Sequence, residues 1–161
     1  MTTPLDVPLA GGCLCGRVRY RIHEDPITFH ACHCTDCQTE SGSAFGISMS
    51  LRRSAFEHER GEVRSIVVEL PDGVRRWPAT VCANCLVRLW NVSLVAPNIV
   101  GLQAGTLDDP KAYEPYGNLW TRSARPPGLF APGPRFERQP EEPLAMVKLW
   151  QEHRRALREG R

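Results

Sequence analysis

Cys32-His33-Cys34-Thr35-Asp36-Cys37 is the stretch from which the rest of the chain can be read. Two further pairs frame it, Cys13-Leu14-Cys15 before and Cys82-Ala83-Asn84-Cys85 after. The three clusters take up all seven cysteines, an odd number that a complete disulfide framework would not leave. Buried free cysteines do serve as small hydrophobes. Gathering every one of them into three short clusters is hard to explain as core filling.

The 161 residues suffice for about one domain with a real core. A net charge of +2 is too small to argue for nucleic acid or an anionic membrane, and scattered aromatics also count against nucleic acid. No apolar run approaches the roughly 18 residues that a membrane span needs, so no membrane partner is expected. Met1-Thr2-Thr3-Pro4-Leu5-Asp6 lacks the basic region and apolar core of a signal peptide, which makes the cytoplasm the expected compartment. In that reducing setting, clustered cysteines point to metal binding or catalysis before disulfides.

Around the clusters the pattern is that of short strands. Val18, Tyr20 and Ile22 alternate with arginines, and Phe45, Ile47 and Met49 alternate in 44–50, so both stretches are expected to be half-buried strands. Ile66–Leu70, the turn Pro71-Asp72-Gly73 and Val74–Trp77 make the clearest hairpin. Further strands are expected over Val87–Val92 and Ile99–Leu102. The tight spacing in Cys32–Cys37 suits a turn, and Gln38–Ser43 reads as a loop. Proline and glycine dominate 115–143, which favours an extended segment over a helix. In Leu144–Glu159 the residues Met146, Leu149, Trp150, His153 and Leu157 recur at three- and four-residue steps, which predicts an amphipathic helix. The expected organisation is a loose lead-in over 1–10, one domain over 11–140 and a C-terminal helix in 141–161, packed on that domain or on a partner.

Structural zinc sites are usually tetrahedral and closed by four Cys or His ligands. Cys82-Ala83-Asn84-Cys85 is a two-thiolate knuckle. Cys13-Leu14-Cys15 is tighter, and Gly12 and Gly16 permit the backbone angles it needs. Cys13, Cys15, Cys82 and Cys85 are therefore expected to close a structural zinc site. Cys32, Cys34 and Cys37 are one ligand short, and a second zinc held there would keep a position for a substrate, as catalytic sites do. His33 or His30 could complete a closed site instead. His33 lies between two ligands, however, so its side chain is expected to point away.

Gly12-Cys13-Leu14-Cys15-Gly16-Arg17-Val18-Arg19-Tyr20, Cys32–Gln38 with Ser41–Phe45, and Cys82–Cys85 together resemble the glutathione-dependent formaldehyde-activating enzyme family, which includes the centromere protein V-like domains. The likeness continues through Gly105–Pro110 and Leu119–Pro126. It implies a mainly β, zinc-stapled fold of the β-tent type, with the structural zinc on Cys13, Cys15, Cys82 and Cys85 and the catalytic zinc on Cys32, Cys34 and Cys37. It also implies carbon–sulfur lyase chemistry, written in reverse as condensation of formaldehyde with glutathione to S-(hydroxymethyl)glutathione. The chain departs from the family pattern at Leu86, where a glycine is usual after Cys85, at Asn118, where a histidine is usual, and at Pro127, where a tryptophan is frequent. Leu86 should strain the knuckle if its position is left-handed. The other two bear on the substrate.

Read from the residues, an open three-thiolate zinc suits a small thiol such as glutathione, because coordination stabilises the thiolate. Asp36 and Glu40 are candidate proton relays, with exposed loop charges the favoured reading. Arg52 and Arg53 are candidates for a substrate carboxylate. Two other classes stay open. One is a zinc-stapled protein- or nucleic-acid-binding module with two structural sites, which a fourth ligand at the middle cluster would favour. The other is a thiol-redox protein cycling a Cys34–Cys37 disulfide.

Overall fold

In the computed structural model, residues 7–74, 76–109, 114–126 and 128–160 are described. Most of the lead-in, together with Arg75, Pro110, Tyr113 and Pro127, lies outside these residues. The protein is mainly β. Among the described residues, ten strands run in order as β1 (Leu9–Gly12), β2 (Arg19–Ile22), β3 (Thr28–Cys32), β4 (Gly46–Arg52), β5 (Phe56–Arg60), β6 (Val63–Glu69), β7 (Arg76–Cys82), β8 (Arg88–Val92), β9 (Ile99–Gln103) and β10 (Asn118–Leu119). Two α-helices join them, α1 (Thr35–Ser41) after β3 and α2 (Ala145–Arg158) near the C-terminus. Neither is long and apolar enough to cross a membrane.

The chain forms two compact units, each assembled from separated segments: Pro26–Met49 with Lys111–Arg161, and Asp6–Asp25 with Ser50–Pro110. The second unit holds two antiparallel arrangements. In one, β2 lies between β1 and β5, pairing Leu9 with Ile22 and Ile22 with Phe56. Leu9 and Ala10, read from the sequence as lead-in, thus belong to a strand. The alternation in β2 is what buries it: Val18, Tyr20 and Ile22 are fully inside, while Arg21 pairs with Glu59 and Arg19 with Asp108. Tyr20 meets Phe56 and Trp90 with ring centroids 5.6 and 6.1 Å apart, and its hydroxyl lies 2.8 Å from Thr106 Oγ1. The other arrangement is the run β6-β7-β8-β9. The expected hairpin is its first turn, with Glu69 opposite Arg76 and Val68 opposite Trp77.

In the first unit β10 runs parallel to β3, pairing Asn118 with Ala31 and Leu119 with Cys32. Gln38–Ser41, expected to be a loop, belongs to α1 instead. Cys34 caps this helix by accepting the Cys37 N–H on its sulfur, and Gly42 ends it in the left-handed conformation. The expected C-terminal amphipathic helix is present as α2. It buries Met146 and Trp150, and Trp150 meets Phe29 of β3 edge-on at 5.8 Å. Arg154, which the apolar pattern passed over, is buried beside them with its guanidinium 5.8 Å from the Trp150 ring.

Candidate metal centres

In the second unit the turn after β1 and the turn after β7 carry the outlying cysteine pairs. Their backbones follow one plan. The Cys13 N–H bonds to Val18 O and the Cys82 N–H to Val87 O, at 3.1 and 3.0 Å. Each first cysteine also accepts a backbone N–H on its sulfur, from Val18 at 3.2 Å and from Asn84 at 3.4 Å. Each second cysteine is followed by a left-handed residue, Gly16 at φ 73° and Leu86 at φ 61°. The glycine adopts this freely; the leucine does so at a steric cost. Cys13, Cys15, Cys82 and Cys85 come together so that all four sulfurs lie within 4.8 Å of one another. Cys13 Sγ is 3.4 Å and Cys82 Sγ 3.8 Å from Cys15 Sγ.

This donor set fits a metal ion. Hydrogen bonds onto sulfur favour thiolates. The Arg17 backbone N–H, followed by the Asn84 side chain, pushes the Cys15 thiol down to about 6. The Val87 backbone N–H lowers Cys85. Four soft thiolates gathered at this spacing match the closed tetrahedral sets that zinc prefers.

In the first unit Cys32, Cys34 and Cys37 place their sulfurs within 4.8 Å of one another. Cys32 ends β3, while Cys34 and Cys37 belong to the first turn of α1 and its cap. Hydrogen bonds from Cys32 and Cys37 hold the Cys34 thiol far below its ordinary value, and the same bonds raise Cys32 and Cys37. Three gathered sulfurs, with the thiolate favoured at Cys34, are a set that could hold a metal ion. Among the described residues no histidine or carboxylate joins them. His33 is turned away as expected: its Nε2 lies 3.3 Å from Asn118 Oδ1, and its ring lies between those of Phe45 and Phe130 at 5.2 and 5.1 Å. His30 is placed beside Thr28 Oγ1, 3.3 Å away, where burial pushes its imidazole down to about 4.

Asp36 is half-buried and Glu40 exposed on α1. Arg52 and Arg53 belong to the other unit, where Arg52 pairs with Glu24 at 3.4 Å. The structure adds residues that sequence reasoning missed. Gln38 donates to His33 O at 2.7 Å and to Ser123 O at 2.8 Å, fastening the cysteine segment to the chain after β10. Asn118 is fully buried; it donates to Ala131 O at 2.8 Å and accepts from the Ala131 N–H at 2.9 Å. Cys32 packs with Leu119 and Met146, and Trp120, Phe136 and Leu149 lie against this cluster. Beforehand Gln38 was visible only as part of the Cys32–Gln38 motif and Asn118 only as a departure from the family pattern, without these contacts.

A mainly β chain with one four-cysteine and one three-cysteine cluster, each able to hold a metal ion, defines a class of protein with two candidate cysteine-ligated centres. Comparison with known proteins makes the class particular. The profile described as glutathione-dependent formaldehyde-activating enzyme matches residues 8–123, and the chain belongs to this family. No curated protein matches the chain. Among solved structures it is similar to a Rhodobacter sphaeroides protein from a structural-genomics programme, at 17% identity and a TM-score of 0.47, over 62% of this chain and 88% of that one.

Proposed function

We propose that the protein is a zinc-dependent carbon–sulfur lyase that makes or breaks a thiol–aldehyde adduct, similar to S-(hydroxymethyl)glutathione synthase, with glutathione and formaldehyde as substrates. Membership of the family supports a formaldehyde-activating, glutathione-related function. The observation that carries the finer reading is the three-sulfur cluster that no described histidine or carboxylate completes. Cys32, Cys34 and Cys37 hold the catalytic zinc, and Cys13, Cys15, Cys82 and Cys85 hold a structural one. Residues 11–140, together with Leu9 and Ala10 of β1, are the working domain and 141–161 its C-terminal helix; the cytoplasm is its compartment.

A zinc ion on three thiolates supplies a weakly acidic centre with one exchangeable position, which favours a thiolate over a thiol. The chain's own residues do the rest. Gln38 fixes the backbone between Cys32 and Cys34, so the sulfurs are set before any ligand arrives. Leu119, Phe136, Met146 and Leu149 keep water from the inner side of the cluster. In the net reaction the thiol sulfur bonds to the aldehyde carbon, and the thiol proton ends on the former carbonyl oxygen. Cleavage is the reverse. A two-site binding module would need a fourth protein ligand at the middle cluster.

The test is metal analysis with a glutathione titration, followed by exchange spectroscopy of formaldehyde and glutathione with and without protein. Zinc-loaded protein should bind glutathione, bind S-methylglutathione far more weakly, lose both binding and exchange in Cys34→Ser, and speed exchange above the uncatalysed rate. Equal exchange rates would remove formaldehyde as substrate. Absence of glutathione binding would remove the lyase reading.

A further inference from the structure

We propose that Trp120 and Arg122 form a docking subsite for a carboxylate of the substrate thiol, so that the protein selects anionic thiols over neutral ones. The inference rests on the reading that a thiol reacts at Cys32, Cys34 and Cys37.

Trp120 adopts φ 59°, ψ 37°, a left-handed conformation that bulky side chains rarely take. Such a conformation persists only where the surroundings impose it, and it recurs at ligand sites. Here it starts the short turn Thr121–Ser123 and leaves the half-buried indole against the cluster of Cys32, Leu119 and Met146. The turn is fastened on both sides. The Thr121 N–H bonds to Phe136 O at 3.0 Å, and Ser123 O accepts from Gln38, which also holds His33 O between Cys32 and Cys34. Trp120 and the cysteine segment are therefore positioned by one side chain.

Arg122 is exposed, with its guanidinium carbon 5.0 Å from the centre of the Trp120 ring. Stacked on an indole, a guanidinium loses little freedom and still offers its N–H edge to a planar carboxylate. Two residues after the turn, Arg125 donates to Gln38 Oε1 at 3.1 Å, which adds a second positive charge to this segment. An apolar ring packed against the cluster that includes Cys32, with one guanidinium over it and a second cation on the segment that follows, matches a ligand with a thiol at one end, a flexible body and a carboxylate at the other. A neutral thiol would engage the sulfurs alone.

The experiment uses cobalt-loaded full-length protein and follows thiol binding through the visible spectrum, with glutathione, its diethyl ester and 2-mercaptoethanol as ligands. Arg122→Gln should weaken glutathione about tenfold or more, the range of a lost charge-assisted hydrogen bond. It should leave 2-mercaptoethanol within twofold. The ester should bind wild type as weakly as glutathione binds the variant. Arg122→Lys, which keeps the charge and loses the fork, should fall between. Equal losses for charged and neutral thiols, or no loss for either, overturn the subsite while leaving the thiol chemistry standing. Failure of wild type to bind any of the three overturns the lyase reading, and the subsite with it.

Discussion

A carboxamide suits position 118 because the group there must give and accept at once. Its Nδ2 donates to Ala131 O and, at 3.4 Å, to Pro134 O, while Oδ1 accepts from the Ala131 N–H. Since Oδ1 is an acceptor, the hydrogen between it and His33 sits on His33 Nε2. Asn118→Ala would leave buried donors and acceptors without partners, at on the order of 3 kcal/mol. A fall in the urea midpoint measures this, and an unchanged midpoint would refute the network. Leu86 gives the opposite sign. It is 63% exposed and left-handed, so Leu86→Gly removes an angle penalty and loses little packing. A left-handed residue costs about 1–2 kcal/mol and glycine's extra chain entropy about 0.5–1, so the variant should gain about 0.5–1 kcal/mol in chemical melts. The cysteine clusters were legible because their short spacing is written in the sequence itself. The left-handed angle at Leu86 was foreseeable from the glycine usual there, whereas Trp120 follows no local rule. Its conformation depends on Phe136 and Gln38, far away in sequence.

At the scale of elements, alternation revealed the strands whose two faces differ. β2 is of that kind, whereas the β6–β7 hairpin was legible from its turn, since β6 is exposed along nearly all its length. Alternation could not reveal β5, Phe56-Glu57-His58-Glu59-Arg60, where a single buried residue starts the strand, Arg21 pairs with Glu59 and His23 hydrogen-bonds Glu57. It also missed α1, too short for periodicity and held by Cys34 and Gly42 at its ends. On α2, His153 stacks on Tyr116 with centroids 3.8 Å apart. Burial, then the charge of Arg154, lower its pKa, with Glu114 opposing them. The folded form therefore resists protonation that the unfolded chain accepts near 6.5, and stability falls as pH drops below that value. His153→Phe keeps a stacked ring and removes the titration. Its melting temperature should fall less than that of wild type between pH 6.5 and 5. Parallel curves would show that His153 contributes nothing.

On the scale of the whole molecule, each compact unit carries one cysteine cluster. In the second unit the four cysteines join the turn after β1 to the turn after β7, so a metal held there would be part of that unit's stability. Structural zinc contributes about 10–16 kcal/mol in small domains, which equals or exceeds the whole net stability of an ordinary fold. Cys85→Ser is expected to be insoluble or poorly folded. Cys34→Ser should remain folded and bind one zinc ion fewer. Soluble yield, circular dichroism and metal per chain decide it, and a Cys85→Ser protein melting like wild type would show the ligand assignment to be wrong.

The separation of the sulfurs along the chain also sets an order of events during synthesis. Cys34 and Cys37 are three residues apart, whereas Cys15 and Cys82 are 67 apart. Closing the longer span in a disordered chain costs about 3 kcal/mol more in loop entropy. Cys37 also leaves the ribosome long before Cys82. The nascent chain thus presents a complete three-thiol chelate while half of the four-thiol set has yet to be made. A metal ion offered during synthesis would meet the middle cluster first, and the four-thiol set could close only after β7 has emerged.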